Sequence, residues 1–205
     1  GKGDLTVLAS AEVGDLSAVR MKPDGTKMYI AGPLGTVYQY SLSTAWDVST
    51  ASYDSVSYDA TAEITSGWGM DFSSDGTAMY LTDATTSSVY QYTLSTAWNI
   101  GTASYASKSV DVSSETSSPG GIWIGDSGTL LSMADKTNYT VVQYRMTTAY
   151  DISTASYSAG SFSVATQAAN PNSVGFGKDG AFMYIVDSST AAVYQYRTSY
   201  LSVAL

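Results

Sequence analysis

Three pairs of neighbouring residues are the first candidates for chemistry. Trp46-Asp47, Trp98-Asn99 and Tyr150-Asp151 recur at intervals of 52 residues. A flat ring beside a carboxylate or amide is what a sugar pocket needs. The ring stacks on apolar C–H faces, and the polar group fixes hydroxyl directions. The same pattern also describes a packing anchor followed by a turn cap. A second set is Asp83, Asp135 and Asp187, again 52 residues apart. Converging carboxylates could hold Ca2+, which takes six to eight oxygens. Single Asp residues at strand ends equally cap their own loops through Asx-turns. Trp68 and Trp123 are further ligand-binding candidates, each on a predicted strand.

Other chemistries are excluded by composition. The chain has neither Cys nor His. Thiolate chemistry, disulfides and zinc-thiolate sites are therefore absent, and so are Ser-His-Asp and Cys-His systems. The remaining enzymatic alternative is a glycosidase or lyase built on paired carboxylates, such as Asp71 with Asp83 or Asp135 with Asp187. Retaining hydrolysis needs a separation of about 5 Å, inverting hydrolysis about 6.5–9.5 Å. No spacing in the sequence singles out such a pair, and the chain is expected not to be an enzyme. No cofactor is expected beyond Ca2+ at the Asp set.

The 205 residues carry a net charge of −9. Nine Lys and Arg, scattered along the chain, argue against nucleic acid and against anionic membrane surfaces. No apolar run is long enough to span a bilayer. Ser and Thr number 33 and 24, and Tyr 17, so the surface is covered in hydroxyls rather than ions.

The elements that position these residues follow from a repeat. Val37-Tyr38-Gln39-Tyr40 returns as Val89-Tyr90-Gln91-Tyr92, Val141-Val142-Gln143-Tyr144 and Val193-Tyr194-Gln195-Tyr196. Upstream lie Asp24-Gly25, Asp75-Gly76, Asp126-Ser127-Gly128 and Asp179-Gly180, which are hairpin signals between apolar runs. Each unit reads as four antiparallel strands, A to D. Units of that kind at about 50 residues are propeller blades. The fold is predicted to be all-β: one four-bladed β-propeller domain over 1–205. The blades cover about 10–60, 61–112, 113–164 and 165–205. The last lacks its strand D, and residues 4–9 are predicted to complete it and close the ring.

Strand A lines the axis, and its variable position holds Arg20, Asp71, Trp123 and Gly175. Arg20 and Asp71 fall in adjacent blades and could pair; the other reading is a ligand contact at the channel mouth. Asn138-Tyr139-Thr140 matches a glycosylation acceptor, a short pattern common by chance.

Asp-Gly-Thr-Lys-Met-Tyr (24–29), followed by the run from Val37 through Ala45-Trp46-Asp47 to Tyr53, resembles blade repeats of marine phage tail and bacterial surface proteins. The resemblance covers residues 20 to 200. It implies a non-enzymatic recognition module on a virion or cell surface, outside the cell. Its partner would be a host glycan or protein receptor, and the domain could be part of a larger fibre. A structural spacer role fits the repeats equally well.

Overall fold

The computed structural model describes residues 15–177 and 180–198. Among the described residues, fifteen strands form four antiparallel sheets, each a blade of a four-bladed β-propeller. Blade 1 contains β1 (Ala18–Met21), β2 (Lys27–Ala31), β3 (Thr36–Leu42) and β4 (Ala51–Asp59). Blade 2 contains β5 (Gly67–Phe72), β6 (Ala78–Asp83), β7 (Ser88–Leu94) and β8 (Ala103–Asp111). Blade 3 contains β9 (Pro119–Gly125), β10 (Leu130–Asp135), β11 (Thr140–Met146) and β12 (Ala155–Ser163). Blade 4 contains β13 (Pro171–Gly177), β14 (Phe182–Asp187) and β15 (Ala192–Arg197). The predicted closing strand, 4–9, lies outside the described residues.

The local causes repeat with the sequence. At the first turn of each blade, Gly25, Gly76, Gly128 and Gly180 take φ of +73° to +89°, which a side chain would strain. In blades 1 and 2 the preceding Asp completes an Asx-turn: Asp24 accepts from the Thr26 backbone at 2.9 Å, and Asp75 from Thr77 at 3.0 Å. The outer strands β4, β8 and β12 each carry a bulge where they pair with the Tyr-Gln-Tyr strand. Ser55, Ser107 and Ala159 sit there at positive φ. A bulge twists an outer strand and blunts an edge that could otherwise recruit another chain.

Both faces of blades 2 and 3 are apolar because both meet a neighbour. Tyr29, Ala31 and Val37 of blade 1 pack on Phe72, Met79, Leu81 and Tyr92 of blade 2. Tyr80 and Val89 of blade 2 meet Ile122, Leu131, Met133 and Tyr144 of blade 3. Ala134 and Val141 then meet Val174, Met183 and Ile185 of blade 4.

Two side chains hook blade 1 to blade 2, and two more hook blade 2 to blade 3. The Tyr29 hydroxyl donates to the Trp98 carbonyl at 2.6 Å, and Tyr80 to the Tyr150 carbonyl at 2.7 Å. The Gln39 Oε1 accepts from the Ile100 backbone N–H at 3.1 Å, and Gln91 from Ile152 at 2.9 Å. Burial pushes the Tyr29 and Tyr80 phenols well above their ordinary pKa, so both remain donors.

Candidate functional site: the axial cleft

The inner strands approach one another backbone to backbone. A Cβ on Gly69 would stand 2.8 Å from the Gly120 carbonyl, and one on Gly120 would stand 2.6 Å from the Asn172 carbonyl. Only glycine permits this spacing. At the end of the axis where these strands begin, the crowding gives way to a cavity of about 360 Å3. It lies between Arg20 and Ile30 of blade 1 and Asn172, Ser173 and Val186 of blade 4, with Trp68 of blade 2 in its wall.

Arg20 is held in place by three blades. Its Nε donates to Asp71 Oδ1 at 3.1 Å, confirming the pair expected from the repeat. One terminal nitrogen donates to the Val19 carbonyl at 3.1 Å, and the other to the Ile122 carbonyl. Each terminal nitrogen carries a second N–H, so donors remain for a guest. The Asp71 carboxylate also accepts from the backbone N–H of Phe72 at 2.9 Å and of Ile124 at 2.7 Å. Asp71 is thus committed to positioning Arg20.

The other two members of that repeat position diverge. Trp123 turns along its own strand to cover Gly125 and stacks on Phe176 with centroids 4.5 Å apart. Gly175 faces open space: a Cβ there would meet nothing within 4 Å.

Trp68 has a second role. The Lys136 ammonium lies 3.4 Å above its ring centroid. Lys136 has no carboxylate partner among the described residues, and burial lowers its pKa. The cavity wall is therefore backed by a cation that no described acid pairs with. This residue was not legible in advance, because nothing in the repeat marks it.

The aromatic turns are built differently from an open sugar platform. Trp46, Trp98 and Tyr150 adopt φ of 68°, 63° and 60°. Each ring lies flat on the glycine of its own blade's first turn, 2.3–2.6 Å from where a Cβ would be. Trp98 also packs on Phe72, with ring centroids 5.5 Å apart. Asp47, Asn99 and Asp151 cap the 3-10 turns Val48–Thr50, Ile100–Thr102 and Ile152–Thr154 by accepting from the second residue of each turn. Asp151 additionally takes an ion pair from Lys108 of the preceding blade at 2.6 Å. The three pairs stand in separate blades. Trp46 differs in being 60% exposed.

Asp83, Asp135 and Asp187 are wholly buried, each within its own loop. Asp83 accepts from the backbone N–H of Ser66, Thr65 and Thr86 at 2.6–2.8 Å. Asp135 accepts from the Thr116 hydroxyl at 2.6 Å and the Asn138 amide at 2.8 Å. Asp187 accepts from the backbone of Ser189 at 2.7 Å and Asn170 at 3.2 Å. Burial raises the pKa of Asp83 and Asp187, but these hydrogen bonds outweigh it and hold both below the usual carboxylate range. Among the described residues, no three acidic side chains converge as a metal site. Asn138 of the glycosylation pattern is tied to Asp135.

The fold and cleft define the class: a β-propeller with a cavity at the axis, where inner strands begin. No protein-family model and no curated protein sequence matches the chain. Solved structures do match. A proposed 6-phosphogluconolactonase of Bacteroides uniformis aligns at 11% identity and TM-score 0.60, over 89% of this chain and 50% of its own. The periplasmic gluconolactonase PpgL of Pseudomonas aeruginosa aligns at 14% and 0.55, over 89% and 49%. The Cps50 (Swd1) β-propeller domain of Myceliophteria thermophila aligns at 11% and 0.55, over 93% and 59%. The chain thus spans about half the length of the structures it matches. At these identities the likeness establishes the fold.

These comparisons correct the expectation of a non-enzymatic surface recognition module, and with it the expectation that the chain is not an enzyme. Two of the three structures carry lactonase names, which favour the enzymatic alternative. The physical reason agrees. The turn aromatics that motivated the recognition reading are seated on glycines, and the cavity lies elsewhere.

Proposed function

We propose that the axial cleft binds a sugar-derived lactone and that the protein hydrolyses it. The observation that carries this reading is the convergence of Arg20, Trp68, Asn172 and Ser173 on one cavity of about 360 Å3. That is the size of a small-molecule site with a few placed polar groups. Trp68 offers a flat face to the sugar ring, and Asn172 and Ser173 offer hydrogen-bonding partners to its hydroxyls. Water attacks the lactone carbonyl, the ring C–O bond breaks, and a hydroxy acid leaves. Negative charge develops on the carbonyl oxygen, and the remaining Arg20 N–H groups are the donors suited to stabilise it. The carboxylates of Asp83, Asp135 and Asp187 are committed to their loops, so the acceleration comes from charge stabilisation rather than a carboxylate pair. The lactonase names of the two matching structures support the substrate class. The resemblance to surface and tail repeats suggests action outside the cell.

The test is acid release from aldonic δ-lactones in weakly buffered solution. Arg20→Met should lower kcat by about 100-fold or more, the usual loss for one oxyanion donor. Trp68→Ala should act mainly on KM. A wild-type rate no faster than buffer alone would refute the proposal.

A further inference from the structure

The mouth of the axial cavity is more apolar than an aldonic lactone requires. Leu16 and Val19 on the blade 1 side and Val186 on the blade 4 side line the cavity and are 42–48% exposed. A polyhydroxylated ring held between Arg20 and Trp68 has no apolar group to lay on them. Exposed apolar side chains gathered at one opening mark a binding surface.

The apolar surface continues outward from the cavity across blade 4. Ser173 pairs with Val186 on β14, and Val186 with Val193 on β15. Residues paired across an antiparallel sheet share a face, so the three form a row leading away from the axis. Val193 is 64% exposed, and Tyr184, two residues before Val186 on the same face, is 37% exposed. The matching positions of the other blades are closed. Val37, Val89 and Val141, at the place of Val193, are 0–2% exposed, each under the next blade. Ala31, Thr82 and Ala134, at the place of Val186, are 0–5% exposed. The row is also unfilled from above, because a Cβ on Gly175, next to Ser173 on that face, would meet nothing within 4 Å.

We propose that the lactone taken by this cleft carries an alkyl or acyl chain, which leaves the cavity along Ser173, Val186 and Val193. The proposal rests on the lactone reading of the cleft. Three adjacent strands set the length of the row at about 10 Å, the reach of an extended octyl chain. A protein occupant, whether a partner or a second copy, fits less well. Protein interfaces use about 20–30 residues a side, and the open row supplies a handful. The blade 1 cluster of Met28, Ile30, Tyr40 and Leu42 is closed, 0–6% exposed, and adds no area to it.

Binding and hydrolysis are measured separately. Isothermal titration calorimetry follows 6-O-alkyl-D-glucoses, which have the sugar ring but no acyl carbon. Acid release follows the matching 6-O-alkyl-D-glucono-δ-lactones, all below micelle-forming concentrations. Affinity should rise about twofold per methylene, about half the free energy of full burial, hence about 100-fold from methyl to octyl, and level off beyond octyl. The ratio of kcat/KM between octyl and methyl lactones should follow it. Val193→Asp should cut the octyl-to-methyl affinity ratio by about fourfold or more, the share of two methylenes, with an unchanged circular dichroism spectrum. Equal affinity along the series, with the methyl lactone hydrolysed, would overturn the chain and leave the lactone reading standing. Binding that grows with chain length and weakens in Val193→Asp, with no lactone hydrolysed, would refute the lactone reading and keep the row as a ligand site. Affinity that climbs past octyl, or that Val193→Asp leaves unchanged, would overturn the proposal. So would a wild-type dimer that Val193→Asp dissociates, which would give the row to a second copy.

Discussion

Tyr80→Phe isolates one hook at an intact junction. The Tyr80 ring is wholly buried, and its hydroxyl reaches the Tyr150 carbonyl at 2.7 Å. Phe keeps the ring packing against blade 3 and deletes only the donor. The loss is the net hydrogen bond, about 0.5–1.5 kcal/mol, plus part of the penalty for a carbonyl left unpaired, about 1–3 kcal/mol. A total of about 2 kcal/mol is expected, which lowers Tm by about 4–8 °C in a chain of this size. The assay is urea unfolding followed by circular dichroism, with Tyr90→Phe as the control. Tyr90 donates to the Thr86 hydroxyl at 3.1 Å in an exposed setting, so its loss should stay within about 0.5 kcal/mol. Gln91→Ala removes the second hook on the same turn, where the Ile152 N–H lies 2.9 Å away. Because both hooks hold one turn, the double variant should cost less than the two single losses added, by about 0.5 kcal/mol or more. Equal effects of Tyr80→Phe and Tyr90→Phe, or strict additivity of the hooks, would refute the picture of a shared latch.

Three further outcomes follow from the geometry. Gly76→Ala should destabilise by about 1–3 kcal/mol, because it strains a φ of +73° and places a Cβ 2.3 Å from the Trp98 ring; a shift in tryptophan fluorescence would accompany the loss in urea midpoint. Gly175→Ala should be neutral or stabilising by up to about 1 kcal/mol, since its Cβ would enter open space; a lowered Tm would contradict the vacancy beside Phe176. Asp83 and Asp187 have folded pKa values held below their unfolded ones, so their stabilisation is present above about pH 4 and lost as pH falls through the lower folded values. Asp83→Asn should flatten the acid limb of the stability–pH curve, and an unchanged limb would show that the loop does not depend on the charge.

The blade plan was legible because strand pairing is local. Val-Tyr-Gln-Tyr every 52 residues and the Asp-Gly turns mark hairpins whose partners lie close in sequence. Arg20 with Asp71 was legible for a related reason: one repeat position held opposite charges in adjacent blades. The hooks were not. Alternation assigns Gln39 to a face, but nothing local says that its amide meets an N–H 61 residues onward. The turn aromatics misled because a ring before Asp or Asn reads alike on a sugar or on a glycine; the left-handed backbone of Trp98 and Tyr150 decides it. Lys136 occurs in one blade alone, so a search for repeats passes over it. The cleft depends on where glycine lets strands crowd and where that crowding stops, a property of the assembled axis.

The hooks also set a clock on synthesis. Each is supplied by the earlier blade and received by a turn 61–70 residues later in the chain. At about 5–20 residues per second, a ribosome needs about 3–14 s to deliver that turn. For that interval Tyr29, Gln39 and the apolar face around them have no partner, and then Tyr80 and Gln91 take their place. The growing chain always presents one unmatched blade face to its surroundings. Slow codons or a holding chaperone would matter most one blade behind the exit tunnel, at a moment that moves forward by 52 residues with every repeat.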